Sequence, residues 1–183
     1  MTPLFIVLGI VILIIVFGIG IYNSLVTSRN RVKEGWSGID VQLKRRSNLI
    51  PNLVEAVKGY AKHEKSVLEN VTKARSSLLK AGDATEAAQA DNMLTGALKT
   101  LFAVAEDYPD LKASENFKHL QDELSDTETK IAAARQFYNS NVLDYNTKIK
   151  VFPNVLFATT LGFNPESFFK TDEESKKPVK VNF

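Results

Sequence analysis

The stretch VKEGWSGIDVQLKRRSNLIPNLVEAVKGYAKHEKSVLENVTKARSSL, residues 32–78, decides the fold. Its apolar positions fall at Val32, Trp36, Ile39, Leu43, Ile50, Val54, Val57, Ala61, Leu68, Val71 and Leu78, each three, four or seven residues after the last. That spacing lays one apolar stripe along a helix of 3.6 residues per turn. The stretch therefore reads as a single long amphipathic helix. Pro51 removes one backbone donor and crowds the preceding turn, so a kink is expected between Ser47 and Pro51, with the helix continuing beyond it. Arg46 and Glu64 interrupt the stripe. A charge there either stays buried with a partner or snorkels past the seam, and snorkelling is the expectation.

Upstream, Pro3 to Tyr22 is an apolar run of Leu, Ile, Val, Phe and Gly, and no charged side chain occurs before Arg29. About twenty residues at 1.5 Å each match a hydrocarbon core roughly 30 Å thick, so a spanning helix is expected. A cleaved signal peptide fits less well: the run is long, no basic residue precedes it, and no small-x-small cleavage site follows. Arg29, Arg31, Lys33, Lys44, Arg45 and Arg46 follow the span closely, which predicts an amino terminus outside and the bulk of the chain in the cytoplasm.

Downstream, Ala81, Gly82 and Asp83 end the first helix. A second, alanine-rich helix over Thr85 to Tyr108 turns Met93, Leu94, Ala97, Leu98, Leu101, Val104 and Ala105 inward, and Pro109 closes it. A third starts with Ser114 as its N-cap. It carries Phe117, Leu120, Leu124, Ile131, Ala134, Tyr138, Val142, Tyr145, Ile149 and Phe152 on one face until Pro153. A short helix from Asn154 to Leu161, stopped by Gly162, follows, and no run alternates with a period of two. The fold class is all-α: one transmembrane helix at the amino terminus, then an antiparallel bundle of long helices. The divisions are an anchor over 1–28, a cytoplasmic bundle over 29–170, and a disordered charged tail over 171–183. At 1.5 Å per residue the three long helices would measure roughly 80, 35 and 55 Å, so the third should overshoot or break.

The function classes narrow quickly. The chain has no cysteine, which excludes disulfides, thiolate metal sites and cysteine nucleophiles. A net charge of +2 with no basic stripe interleaved with aromatics gives no nucleic-acid footprint. His63-Glu64 opens like a zincin motif, but Val67 stands where the second ligand belongs, and Glu115 to His119 has the wrong spacing for a di-iron bundle. No phosphate-cradling loop or nucleophile elbow occurs. No catalytic, cofactor or metal residue is therefore assigned, and an enzyme is not expected.

Interaction features are plainer. Arg29 to Arg46 carries six basic and two acidic residues, a candidate contact with anionic lipid headgroups. Glu106 to Glu128 carries eight acidic and two basic residues around the second turn. Five of the eleven phenylalanines, Phe152, Phe157, Phe163, Phe168 and Phe169, lie within eighteen residues. Phe163, Phe168 and Phe169 are partner anchors if exposed. The candidate interaction residues are thus Arg29, Arg31, Lys33, Lys44, Arg45, Arg46, Phe163, Phe168 and Phe169.

The runs RNRVKEGWSGIDVQLKRRSNLIPNLVEAVKGYAKHE, from Arg29, and IAAARQFYNSNVLDYNTKIKVFPNVLFATTLGF, from Ile131, resemble the two signature blocks of the LemA family. The resemblance covers nearly the whole chain and implies a bacterial membrane helix followed by an antiparallel bundle. It supplies no activity. Asp40, Arg46, Arg135, Asn139 and Asn146 within these blocks are expected to form hydrogen-bonded layers between helices. The functional expectation is a non-enzymatic scaffold or adaptor at the bacterial inner membrane, with lipid, a protein partner or a second copy as its contacts. Recruitment of a membrane protease to clients is one version, and a metal-binding bundle enzyme is the outlying alternative.

Overall fold

A computed structural model describes residues 2–170; the tail expected over 171–183 lies outside the described residues. Six helices follow in order: α1 Thr2–Tyr60, α2 Lys65–Lys80, α3 Ala84–Ala105, α4 Pro109–Ala113, α5 Glu115–Lys148 and α6 Val155–Ala158. No strand occurs among the described residues. Within α1 every residue from 3 to 17 is exposed. This is a helix long and apolar enough to cross a membrane. From Ile21 onward the same helix builds the core, burying Ile21, Leu25, Val32, Ile39, Leu43, Ile50, Leu53 and Val57 at three-, four- and seven-residue steps.

The first helix does not run on to Leu78. It stops at Tyr60, and after a turn over 61–64 the chain reverses as α2. Two contacts fix the direction: Arg75 Nε donates to the Ser47 carbonyl at 2.8 Å, and Leu78 faces the cleft that Trp36 and Leu43 line. The expected snorkelling of Glu64 lapses with the long helix, since Glu64 sits half-buried in the turn just before α2. α1 continues through Pro51. Because proline has no N–H, the Ser47 carbonyl four residues back loses its helical donor, and this is the oxygen that Arg75 serves.

α3 climbs again, capped by Asp83, whose side chain accepts from the Thr85 and Glu86 amides. α4 closes the distal end over the fully buried Leu111, with Phe102 and Phe117 packed edge to face at 6.1 Å. Ser114 does precede α5, but its side chain makes no capping bond. α5 then descends along α1, and the result is an up-down-up-down four-helix bundle. Gly35 marks a close approach of the two: a Cβ there would meet the Tyr138 Cα at 3.0 Å. Met93 and Phe152, expected inside, are exposed.

With α1 broken at Tyr60 the lengths agree. The stretch from residue 27 to 60 and the 34 residues of α5 each span about 51 Å, so no overshoot remains. α2 and α3, at 16 and 22 residues, are shorter and reach only the level of Trp36. Below them, toward the apolar span, α1 and α5 lack helical neighbours. The chain after Gly162, which turns with φ +77°, supplies the missing wall as an extended strap.

Candidate functional site

Two arrangements carry the unusual chemistry, a charged layer in the bundle core and the strap at its base. In the first, Arg46 is buried at 4% exposure, so it does not snorkel. Its Nη1 meets Asp91 Oδ1 at 2.7 Å and its Nη2 meets Glu128 Oε2 at 2.9 Å. The Asp91 side chain is 5% exposed, whereas that of Glu128 is 50% exposed. Burial pushes the Asp91 carboxyl above its usual range; Arg46 pulls it back, Glu128 pushes it further up, and Arg135 lowers it slightly. The two terminal nitrogens of one guanidinium thus tie α1 to α3 and α5.

One residue earlier, Arg45 Nη2 meets Glu123 at 2.7 Å and Nη1 meets Asp126 at 2.9 Å. Asp126 is held below the carboxylate range by its bond to Lys130 and then by Arg45. The acidic stretch of α5 is therefore in part the internal partner of the basic stretch of α1. Lys44 pairs with Asp40 at 2.7 Å. These three cations stand about 33 to 36 Å above Tyr22 along the helix, several screening lengths from any headgroup at that level. Arg45 and Arg46 are thus engaged within the bundle, and Lys44 with Asp40 one turn back on its own helix. Arg31 and Lys33, lower on the helix, are exposed, and Arg29 lies 4.0 Å from Glu166.

At the base, α5 carries the dipeptide Tyr-Asn twice, at 138–139 and 145–146. The Tyr138 hydroxyl donates to Ser167 O at 2.8 Å and the Tyr145 hydroxyl to Asn164 O at 2.9 Å. Asn139 brackets Phe169, accepting from its amide and donating to its carbonyl, and Asn146 brackets Glu166 in the same way. The registers match because seven helical residues advance about 10.5 Å and three extended residues about 10 Å. Burial, then Glu166 and Asp83, push the Tyr138 hydroxyl up to about 12. Asn139 and Asn146 thus bond to the strap rather than joining helix to helix as expected. The doubled dipeptide was the available signal; its target could not be read without the short α2 and α3.

The aromatic expectation divides. Phe163 and Phe169 are buried at 5% and 1%, because they are the strap's contribution to the core. Neither is a free anchor. Phe168 is 37% exposed. His63 and His119 are both exposed. Among the described residues no group of three or more His, Cys, Asp or Glu side chains converges as a metal site. A shallow groove of about 650 Å³ lies near the distal turn, with Val54 and Leu68 in its lining and Lys58, Lys62, Lys65 and Lys73 beside them.

The sequence model of the LemA family matches residues 35–183. Magnetosome protein MamQ of Magnetospirillum gryphiswaldense is 25% identical over 184 residues, covering 86% of this chain and 68% of that protein. Magnetosome protein MamQ 2 of Paramagnetospirillum magneticum is 26% identical with the same coverage. Protein LemA of Metamycoplasma hominis is 29% identical over 180 residues, covering 98% of this chain and 82% of that protein.

Proposed function

The chain belongs to the LemA family, and from that premise we propose that it is a non-enzymatic scaffold anchored in the bacterial inner membrane, with its bundle in the cytoplasm. The observation that carries the reading is the unbroken helix α1, bare over residues 3–17 and core-forming from Ile21 to Val57. A helix shared in this way joins the span to the bundle without a linker. The basic residues nearest the span, Arg29, Arg31 and Lys33, support the cytoplasmic orientation. The relatives' names support a part in organising a membrane compartment, since MamQ is named for the magnetosome. In this reading the bundle presents its polar sides to further copies of itself.

A second version has one observation in its favour. The lysine-flanked groove between α1 and α2 suits an acidic, amphipathic segment of another protein, which is what an adaptor needs. Light scattering on the full-length protein in detergent separates the two. A defined assembly of several copies supports the scaffold. A monomer removes self-assembly and leaves the adaptor. A reporter fused after Phe183 that is active only outside the cytoplasm would overturn the orientation.

A further inference from the structure

The chain from Val151 to Leu161 is the densest apolar exposure outside the span. Val151, Phe152, Val155, Leu156, Phe157 and Leu161 are all exposed, Phe152 at 79% and Leu156 at 63%. Elsewhere on the bundle exposed apolar residues such as Val41 and Met93 stand singly, as on any soluble surface. Six within eleven residues form a patch that water covers poorly.

Its position identifies the occupant. Lys148, at the end of α5, donates to Ser28 Oγ at 2.7 Å and reaches Ser24 O at 3.5 Å. On the return, the Phe163 ring meets Tyr22 edge to face at 5.8 Å. Both ends of the patch are thus fastened where the apolar span gives way to the bundle. Ile21 is buried and Gly18 half-buried, while every residue from 3 to 17 is exposed. Phe163 against Tyr22 brings the returning chain to the level of Ile21, and below it the span is open: a Cβ at Gly18 would meet nothing within 4 Å. Charge agrees in sum: from Tyr145 through Pro165 the sequence has Lys148 and Lys150 and no acidic residue, and Arg29, Arg31 and Lys33 just above outnumber Glu34, Asp144 and Glu166. An apolar tip under a cationic collar is the complement of a bilayer leaflet with anionic headgroups.

We propose that residues 151–161 insert into the leaflet beside α1, giving the bundle a second, lateral foot in the membrane. The proposal rests on α1 spanning that membrane. Because the chain has no cysteine, single cysteines can be placed cleanly. The full chain is reconstituted in vesicles of phosphatidylcholine with a minority of phosphatidylglycerol. Phe152→Cys, Leu156→Cys, Val41→Cys and Val11→Cys carry an environment-sensitive nitrobenzoxadiazole label. Blue-shifted emission at Phe152 and Leu156, lost when the lipids are brominated near the headgroup, with neither effect at Val41, is the expected result. Water-like emission at Phe152 and Leu156 beside a lipid-quenched Val11 overturns the foot and leaves the span intact. A Val11 label that lipids brominated deep in the acyl chain do not quench overturns the spanning reading itself. Blue-shifted emission that brominated lipid leaves unquenched, and that grows with protein density, assigns the patch to a second copy and overturns the proposal as well.

Discussion

Replacing Arg46 by methionine tests the charged layer most directly. The substitution keeps the length of the side chain and removes the guanidinium. Glu128, half exposed, turns to solvent at little cost, but Asp91 is enclosed and keeps its charge without a partner. Breaking a buried pair in this way costs about 3–5 kcal/mol. In a chain of this size each kcal/mol lowers Tm by roughly 2–4 °C, so a fall of about 6–20 °C is expected at neutral pH. The pH dependence has a definite sign. The folded-state pKa of Asp91 is raised above its ordinary 3.8, so the contribution of this group to stability is fully present below that value and is lost as pH rises through the folded pKa. Removing Arg46 withdraws the attraction that restrains the shift, widening the window of loss. The deficit against wild type therefore shrinks on acidification toward the carboxylate range. Adding Asp91→Leu to Arg46→Met returns the protein to within about 1 kcal/mol of wild type or above it, since no stranded charge remains. The assay is thermal unfolding of the full-length protein in mild detergent, followed by far-ultraviolet circular dichroism from neutral pH downward. A loss under about 1 kcal/mol for Arg46→Met, or a deficit indifferent to pH, would refute the reasoning.

Two further outcomes follow from the backbone contacts. Arg75→Met is expected to cost about 1.5–3 kcal/mol in the wild-type background, because the Ser47 carbonyl loses a charged donor. In a Pro51→Ala background the restored amide takes that role, and the same substitution should cost under about 1 kcal/mol; equal costs in a double-mutant cycle would sink the pairing. Asn139→Ala and Asn146→Ala each remove two bonds to the strap, about 1–3 kcal/mol, and should expose Phe168 and Phe169 to chymotrypsin. The Tyr138 contact adds an alkaline limit: its stabilisation is present below pH 10 and lost as pH rises through about 12, which thermal unfolding followed by circular dichroism across that range will register.

The helical class and most of α1 were legible because Val32, Ile39, Leu43, Ile50 and Val57 all fall on one face and all are buried. The reversal after Tyr60 was hidden by the same periodicity. Ala61 and Leu68 are seven residues apart, the interval an unbroken helix would show, and the turn between them contains neither glycine nor proline. Pro51, the conspicuous breaker, lies inside the helix because a partner's side chain repairs the bond it removes. Arg46 was misjudged for a related reason. Nothing local distinguishes a snorkelling arginine from a buried one; the difference lies in Asp91 and Glu128, on helices far along the chain. Phe163 and Phe169 likewise resemble surface anchors until the shortness of α2 and α3 leaves a gap for them to fill.

The continuity of α1 has a mechanical consequence. A span that passes into the bundle core with no hinge makes the whole domain a rigid lever whose angle is the tilt of the helix in lipid. From Ser28 to Tyr60 the lever arm measures about 48 Å, so a change of roughly 10° in tilt, as a thinner or thicker bilayer imposes, sweeps the distal tip through about 8 Å. On the proposed reading, the position of the far end of the protein would follow the thickness of the membrane around the span.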